Sequence, residues 1–213
     1  MNRSPELLIT EDGSHTLYLP GLDEHYHSVH GAVGESTHVY IKAGFNQCDK
    51  ADIHVLELGF GTGLNALLTM EEAGKRQVNV RYTSLEKFPL PESIYQKLNY
   101  SPQIQALHTC VWEEPATISP FFTLQKIQTD FNDYSFPGFY DVVYYDAFAP
   151  DKQAEVWNQD LFDRLFFSMN AGGIITTYCA KGAIRRMIQQ TGFKVERIEG
   201  PAGKREMLRA RKS

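Results

Sequence analysis

Residues 55–65, which read Val-Leu-Glu-Leu-Gly-Phe-Gly-Thr-Gly-Leu-Asn, constrain the fold of this chain more than any other stretch. The apolar run at 53–58 predicts a buried parallel strand. Alternating glycines follow at positions 59, 61 and 63, and an apolar-periodic helix begins at Leu64. A strand, a glycine loop and a helix in this order bring a nucleotide-like ligand against bare backbone and the helix N-terminus. For a short glycine pattern on its own, the alternative is a tight turn.

The spacing of the glycines distinguishes between ligands. A dinucleotide fingerprint reads G-x-G-x-x-G, whereas this loop reads E-x-G-x-G-x-G from Glu57, the form typical of S-adenosylmethionine-dependent methyltransferases. A second strand-like run at 78–85 ends at Glu86, roughly 20 residues past the loop, where α/β nucleotide sites place the acceptor for ribose hydroxyls. The alternative for Glu86 is a solvated residue at a strand end. We predict S-adenosylmethionine as cofactor, bound by Glu57, Gly59, Phe60, Gly61, Thr62, Gly63, Asn65, Glu86, Lys87, Asp130 and Asp146.

Composition predicts a soluble globular protein. The chain has 213 residues, 42% hydrophobic and 22% charged, which suits one well-buried domain. No apolar run is long enough to span a membrane, and the N-terminus lacks a signal-peptide pattern. The three cysteines are isolated, which predicts a reducing, cytoplasmic location without a zinc site. A histidine cluster at 25, 27, 30 and 38 is interpreted as turn and lid hydrogen bonding rather than as a metal site.

The charge is distributed unevenly. The net charge is −5, but ten Lys or Arg against three Glu from Lys181 onward give that segment +7, so the first 180 residues carry −12. A basic C-terminal segment on an acidic body suits a phosphate backbone that touches one face of the protein. A solvated helix followed by a charged tail explains the same charges equally well.

The order of predicted elements gives the fold class. Residues 1–50 show short strand candidates at 16–19 and 37–41 between turns, and we interpret them as a hairpin or lid. From residue 51 to 213, strands near 53–58, 78–85, 121–129, 140–145 and 173–177 alternate with helices near 64–73, 91–99, 158–169 and 181–190. This alternation predicts a Rossmann-like domain with a mostly parallel sheet. Closing strands at 193–198 and 206–210 add an antiparallel edge strand.

Acidic residues at strand ends are the candidates for chemistry. Asp146 follows a run without charge, so it should emerge from a dry strand end beside the methyl donor. An alkyl ammonium, with a free pKa near ~10, must lose a proton before it can accept a methyl group. A partly buried carboxylate can accept that proton, so Asp146 is the predicted catalytic residue; the alternative is a strand cap. Asp130 is a candidate for the adenine amino group, or else a helix N-cap or turn residue.

Several rarer motifs resemble one family. These motifs are Tyr26-His27-Ser28, residues 34–39, 57–65 and 84–90, Asp146-Ala147-Phe148-Ala149-Pro150 with Trp157, Ala171-Gly172-Gly173, Thr177-Tyr178, Arg185-Arg186 and residues 203–208. Together they resemble the methyltransferase half of the bifunctional tRNA 5-methylaminomethyl-2-thiouridine biosynthesis protein (MnmC type), from about residue 20 to residue 211.

The resemblance implies a class I methyltransferase that methylates the exocyclic amine of wobble 5-aminomethyl-2-thiouridine in tRNA. The substrate-binding residues expected on this basis are aromatic or basic, apart from one proline that could stiffen the loop, and comprise Phe148, Pro150, Trp157, Tyr178, Lys181, Arg185, Arg186, Lys204 and Arg205. The two-part members continue into a flavin-dependent oxidase, whereas this chain stops at Ser213 without a second nucleotide fingerprint. We therefore expect a stand-alone methyltransferase whose aminomethyl substrate comes from elsewhere or from a separate oxidase. Lys152-Gln153-Ala154-Glu155 and Cys179-Ala180-Lys181 depart from the family pattern.

Other functions share parts of this pattern. A small-molecule amine methyltransferase or an aminopropyl transferase would keep the glycine loop and Glu86 but has no need for the basic C-terminal segment. A non-catalytic nucleotide-binding module would have no use for an acid placed like Asp146. A dinucleotide oxidoreductase conflicts with the glycine spacing.

Overall fold

Strands and helices alternate along most of residues 4–213, the part of the chain that the computed structural model describes. The strands are β1 (Glu6–Ile9), β2 (His15–Leu19), β3 (Glu24–His25), β4 (Asp52–Leu58), β5 (Asn79–Glu86), β6 (Ala116–Ser119), β7 (Phe122–Gln128), β8 (Tyr140–Tyr145), β9 (Met169–Thr177), β10 (Lys194–Glu199) and β11 (Glu206–Arg211). The helices are α1 (Ala32–Ser36), α2 (Leu64–Arg76), α3 (Glu92–Tyr95), α4 (Ile104–Thr109), α5 (Gln159–Phe167) and α6 (Gly182–Thr191). A π-helical turn (Thr37–Lys42) continues α1. This order confirms the predicted α/β class.

Eight of these strands form one sheet, ordered β10-β11-β9-β8-β4-β5-β7-β6 within the described part of the chain. The strands from β9 to β7 are parallel, whereas β6, β10 and β11 pair antiparallel to their neighbours. The predicted antiparallel C-terminal strand is β11, which lies between β9 and β10, so that β10 forms the edge. Because β4 pairs with β5 on one side and β8 on the other, the strand order reverses at β4. Ligands of such sheets bind at this reversal, beyond the carboxyl ends of the strands.

Helices cover both faces of the sheet over two apolar cores. On one face, Leu67 and Met70 of α2 pack with Leu107 of α4. On the other, Leu161 of α5 and Ile184 of α6 pack against the sheet. Full burial of each such side chain contributes roughly 1.5–3 kcal/mol. The apolar positions of α2 recur every three or four residues, which is why this segment folds as a helix with one buried face.

The N-terminal segment forms the expected small antiparallel sheet, ordered β1-β2-β3. The first three residues of the predicted 1–50 segment lie outside the described residues. The strand predicted at 37–41 is wrong, because this stretch is helical. Its β-branched residues favour a strand, but Val39, Tyr40 and Ile41 are all buried in succession, which an alternating half-exposed strand would not allow. Tertiary packing therefore overrides local propensity.

The region between β5 and β7 also differs from the prediction. The helix expected at 91–99 is the single turn α3. The chain then forms α4 and β6, which the sequence pattern does not predict, and the same is true of β1 in the N-terminal segment. Pro102 cannot continue a helix from the preceding turn, because it lacks an N–H and disfavours helical backbone before it. The remaining helices and strands of the main sheet lie within a few residues of their predicted positions.

Candidate active site

A cavity of about 910 Å³ lies beyond the carboxyl ends of the parallel strands. Its lining includes many of the residues predicted from sequence: Gly59, Phe60, Gly61, Thr62, Asn65, Glu86, Lys87, Asp130, Asp146, Phe148, Tyr178 and Lys204. The lining also includes residues that were not predicted, among them Tyr26, His27, Glu35 and Lys152. The topology therefore brings the glycine loop and the strand-end acids to one place, as the strand order requires.

The glycine loop lies directly against the strand that carries Asp146. Gly59 has φ +103°, and a Cβ there would lie 2.6 Å from the backbone oxygen of Asp146. At Gly61, with φ +50°, a Cβ would meet the Tyr26 ring at 3.1 Å. Both positions therefore require glycine for backbone conformation and for space. Gly63 is the N-cap of α2, so the loop delivers the chain to a helix N-terminus at the cavity wall.

Two buried histidines hold Thr62 of this loop. His108 Nε2 donates to the Thr62 carbonyl at 2.9 Å, and His27 Nε2 lies 2.7 Å from Thr62 Oγ1. Burial lowers the pKa of both imidazoles to about 4, so both are neutral at physiological pH. His27 thus serves in lid hydrogen bonding, as interpreted from the sequence. Among residues 4–213 no group of His, Cys, Asp and Glu side chains has an arrangement that could hold a metal ion.

Glu86 connects the end of β5 to the glycine loop. Its Oε2 accepts from the Gly61 N–H at 3.0 Å, and its Oε1 accepts from the Phe88 N–H at 2.8 Å. Burial raises the pKa of this carboxyl, and the backbone N–H groups oppose that shift. The backbone thereby fixes the orientation of a carboxylate that keeps free lone pairs for vicinal hydroxyls.

Lys87 and Asp130 form an ion pair at the rim of the cavity. Lys87 Nζ lies 2.7 Å from Asp130 Oδ2, while Asp130 Oδ1 accepts from the Asn132 N–H at 2.9 Å. The Lys87 hydrogen bond lowers the pKa of Asp130. Asp130 is therefore a fixed acceptor beside the cavity, in a position consistent with a contact to an amino group.

Asp146 follows the last residue of β8 and is held by hydrogen bonds to both carboxyl oxygens. Tyr40 OH donates to Oδ1 at 2.5 Å, and Asn65 Nδ2 donates to Oδ2 at 2.8 Å. Burial raises its pKa to about 7, although these two hydrogen bonds act in the opposite direction. A carboxyl with this proton affinity can both accept and release a proton near neutral pH.

Glu57 lies behind the cavity rather than in its wall. This side chain is fully buried, accepts from Asn65 Nδ2 at 3.0 Å and accepts from Ser84 Oγ at 2.6 Å. Burial raises its pKa to about 8. Asn65 therefore bridges two carboxyl groups, and Glu57 reaches the cavity through that amide rather than by direct contact.

Aromatic and basic side chains also line the cavity. Phe148 meets Tyr26 edge to face, with ring centroids 5.2 Å apart. Tyr178 OH donates to the Ala147 carbonyl at 2.8 Å, and Lys204 Nζ lies 3.9 Å from the centre of the Tyr178 ring. One face of Tyr178 is therefore covered by a cation, which leaves Phe148 as the more accessible ring for a planar ligand.

Other predicted substrate residues lie outside the cavity. Trp157 is buried in the second core, and its Nε1 donates to the Phe148 carbonyl at 2.8 Å, so it supports the loop instead of facing a ligand. Pro150 is not part of the cavity lining. The sequence places both residues close to Asp146, but the fold puts neither in the cavity lining, and their substrate-binding roles stay predictions.

The basic C-terminal segment is partly neutralised. Lys181 pairs with Asp151, and Lys204 pairs with Glu35 inside the cavity wall. Arg185 donates to Gln189 at 3.2 Å. Arg186 and Arg205 are exposed and form no ion pair within the described residues. The outer surface thus offers fewer free cations to a phosphate backbone than the charge count alone indicates, and Lys204 is not among them.

Sequence reasoning missed the helical residues that approach Asp146. Tyr40 and Glu35 lie on α1 and its π-helical continuation, and Tyr26 covers the glycine loop. The sequence motifs at 26–28 and 34–39 include Tyr26 and Glu35, but neither residue is predicted to belong to the site, and Tyr40 lies in neither motif. No described helix is long and apolar enough to cross a membrane.

Comparisons with known proteins place this geometry in context. A family model described as S-adenosyl-L-methionine-dependent methyltransferase matches residues 123–213. The chain is 27% identical, over 97% of its length, to the tRNA 5-methylaminomethyl-2-thiouridine biosynthesis bifunctional protein MnmC of Cupriavidus metallidurans, and 28% identical over 87% to that of Idiomarina loihiensis. It covers 34% and 35% of those proteins, so it spans about a third of the length of the curated relatives it matches.

Solved structures share the fold. MnmC2 from Aquifex aeolicus has a TM-score of 0.80 at 24% identity, over 99% of this chain and 71% of that one. Spermidine synthase from Thermotoga maritima has a TM-score of 0.62 at 11% identity, over 100% and 71%. The class I fold, the resemblance to the methyltransferase part of MnmC, the methyltransferase class and S-adenosylmethionine as cofactor are confirmed by these comparisons.

Proposed function

We propose that this S-adenosylmethionine-dependent methyltransferase methylates the exocyclic primary amine of 5-aminomethyl-2-thiouridine at the wobble position of tRNA. The relatives named above support the substrate, since their names place them in the biosynthesis of 5-methylaminomethyl-2-thiouridine. The observation that carries the proposal is the placement of Asp146, a half-buried carboxyl beside the glycine loop with a pKa of about 7.

The residues that line one end of the cavity suit the cofactor. Gly59 and Gly61 line the cavity without side chains, so bare backbone forms this part of its wall, as close approach of a ligand to backbone requires. Glu86 would accept hydrogen bonds from the ribose hydroxyls, and Asp130 would accept one from the adenine amino group. Asn65 has a buried Oδ1 without a hydrogen-bond partner, which is available to a donor on the ligand. When bound, S-adenosylmethionine supplies an electrophilic methyl group on a sulfonium.

Asp146 would prepare the amine for transfer. A primary ammonium with a pKa near ~10 has no free lone pair. The Asp146 carboxylate accepts its proton, directly or through a water molecule, and the neutral nitrogen then faces the donor. Tyr40 and Asn65 each donate one hydrogen bond to one carboxyl oxygen, so both oxygens keep a lone pair that could accept from the amine. Fixing the acceptor and donor in line reduces the entropic part of the barrier.

The part of the cavity around Asp146, Phe148 and Tyr178, which we term the acceptor end, would receive a nucleoside base from tRNA. Enzymes that act on a loop base commonly hold it, splayed out, on aromatic side chains. Phe148 and Tyr178 are two aromatic rings that line the cavity together with Asp146. Arg186 and Arg205 are the exposed cations that would contact phosphates, joined by Lys181 and Arg185 on rearrangement of their present partners. A separate oxidase would supply the aminomethyl nucleoside.

Nucleoside mass spectrometry tests the proposal directly. The protein is incubated with S-adenosylmethionine and tRNA from cells that stop at 5-aminomethyl-2-thiouridine, and the expected product is that nucleoside one methylene heavier. Asp146→Asn serves as the matched inactive control. If the protein binds the donor but leaves the nucleoside unchanged, the substrate assignment fails. Methyl or aminopropyl transfer to a small amine, tested with the same protein, would then become the leading assignment.

A further inference from the structure

A partly buried ion pair lines the cavity, and the chemistry described so far does not use it. Lys204, in the turn between β10 and β11, places its Nζ 2.7 Å from Oε1 of Glu35 on α1. The other oxygen of Glu35 accepts from the Ser28 N–H at 2.7 Å. The Glu35 side chain is 9% exposed and that of Lys204 is 36% exposed. Two segments that are distant in sequence thus contribute opposite charges to one wall of the site.

Tyr178 connects this ion pair to the chain segment that carries Asp146. Lys204 Nζ is 3.9 Å from the centre of the Tyr178 ring, and Tyr178 OH donates at 2.8 Å to Ala147, the residue after Asp146. All these residues line the same cavity. The titratable or charged groups that act on Asp146 comprise Tyr40 from the helical turn, Glu57 from β4, Tyr82 from β5, Tyr178 after β9, Glu35 from α1 and Lys204.

Lys204 is the cation among these groups. A cation beside a carboxyl favours the carboxylate, and a cation beside an amine disfavours the ammonium. The first effect keeps Asp146 ionised and so available as a proton acceptor, although it makes the carboxylate a weaker base. The second effect makes the substrate nitrogen release its proton more readily, to Asp146 or to solvent. A neighbouring cationic group is a known means of lowering the pKa of a reacting amine. Glu35 has the opposite influence on Asp146, and it also fixes where the Lys204 charge is located.

We propose that Glu35 and Lys204 are positioning residues that act through Asp146, with Lys204 favouring the uncharged form of the acceptor amine and Glu35 limiting that effect. The inference rests on the proposed methyl transfer to an amine. The Asp146 pKa of about 7 is consistent with it, because Glu35 raises this pKa and Lys204 lowers it. If the ion pair only held the N-terminal segment against the C-terminal hairpin, its removal would lower the free energy of unfolding without shifting the pKa of Asp146.

The test compares pH profiles of kcat/KM for three single variants. Lys204→Met should move the rising limb to higher pH by about 0.5–1 unit, since Asp146 loses a neighbouring cation. Glu35→Gln should move it to lower pH by a similar amount. Arg197→Met is the control, because it removes a cation from the same hairpin. Arg197 pairs with Glu206 at 3.5 Å, and neither residue lines the cavity. This variant should leave the rising limb at its wild-type pH.

Two further measurements separate the possible failures. Titration of the Asp146 carboxyl by NMR in the protein without substrate should show the same opposite shifts, whether or not the nucleoside is the true acceptor. Lys204→Arg, which keeps the cation, should retain the wild-type midpoint even if it reduces the rate. Midpoints that stay fixed in both Lys204→Met and Glu35→Gln, or that move in the same direction, would overturn the inference. Failure of the wild type to methylate the nucleoside would instead refute the proposed function.

Discussion

The two ends of the cavity are built in different ways. The donor end, formed by the glycine loop and Glu86, comes from two consecutive strand–loop units, β4–α2 and β5. The acceptor end gathers Glu35, Tyr40, Asp146, Tyr178 and Lys204 from segments spread over most of the chain. The donor end is therefore a local structure positioned by the backbone, whereas the acceptor end is a tertiary structure positioned by side-chain contacts. Under the proposed function, S-adenosylmethionine would bind at the first end and the amine substrate at the second.

The difference predicts that single changes will affect one end at a time. Asp146→Asn should produce the largest effect, a fall in kcat of about 10²–10⁴, because the amine loses its proton acceptor. Affinity for S-adenosylmethionine should remain close to that of the wild type. Single-turnover methylation and calorimetric titration of the donor measure the two quantities. A parallel loss of donor affinity would show that the two ends are not separable at this residue.

Glu86→Gln should produce the converse result. Loss of the charged acceptor for ribose hydroxyls and for the Gly61 N–H should weaken donor binding by about 10–100-fold, the equivalent of roughly 1.5–3 kcal/mol. The rate at saturating donor should change little, since Asp146 and its partners are untouched. Glu92→Gln, an exposed acid shortly after Glu86, is the control. A fall in kcat without a change in donor affinity would contradict the division into two ends.

The acceptor end should also reduce the stability of the fold. The folded-state pKa of Asp146, about 7, lies above its unfolded value of 3.8. The folded protein therefore binds more protons between these values, and this contribution to stability is lost as pH rises through 7. Asp146→Asn should raise the free energy of unfolding at pH 8 by about 1–3 kcal/mol, and this gain should vanish towards pH 4. Urea unfolding at several pH values measures the difference, and a variant less stable than wild type at pH 8 would contradict it.

Tyr40→Phe should have the smallest effect of the four. It removes the donor to Asp146 Oδ1 and should reduce kcat by roughly tenfold, in line with one hydrogen bond to a charged group. Because that bond lowers the pKa of Asp146, the rising limb of the pH profile should move to higher pH. Tyr18→Phe removes a hydroxyl that donates to exposed Asp23 and should leave both quantities unchanged. An unshifted profile in Tyr40→Phe would show that this tyrosine does not act on Asp146.

The same difference explains what could be predicted from the sequence. The βαβ alternation and the glycine loop depend on local periodicity and spacing, so the sheet, α2, α5 and α6 were predicted close to their positions. The segment that contains Tyr40 was taken for a strand, because its β-branched residues conceal a helix that is stabilised by burial. Local patterns report backbone preference and cannot report which distant surface will cover a segment.

Side-chain roles at the acceptor end were harder to predict. The sequence shows that Lys204 belongs to a basic segment, but its partner Glu35 is 169 residues away, so no local pattern predicts the ion pair. Trp157 was chosen because it follows Asp146 closely, yet it points into the core. Asp146 itself was identified because a charge at the end of an uncharged strand has few structural uses. The individual binding roles of these residues stay predictions.

One contact joins the two ends. A Cβ on Gly59 would lie 2.6 Å from the carbonyl oxygen of Asp146. Any side chain at position 59 would therefore displace the main chain of Asp146, and with it the carboxyl that this residue carries. A change in the glycine loop is thus transmitted directly to the proposed proton acceptor. For this reason Gly59 couples the two ends of the cavity, although neither end contacts the other through a side chain of this glycine.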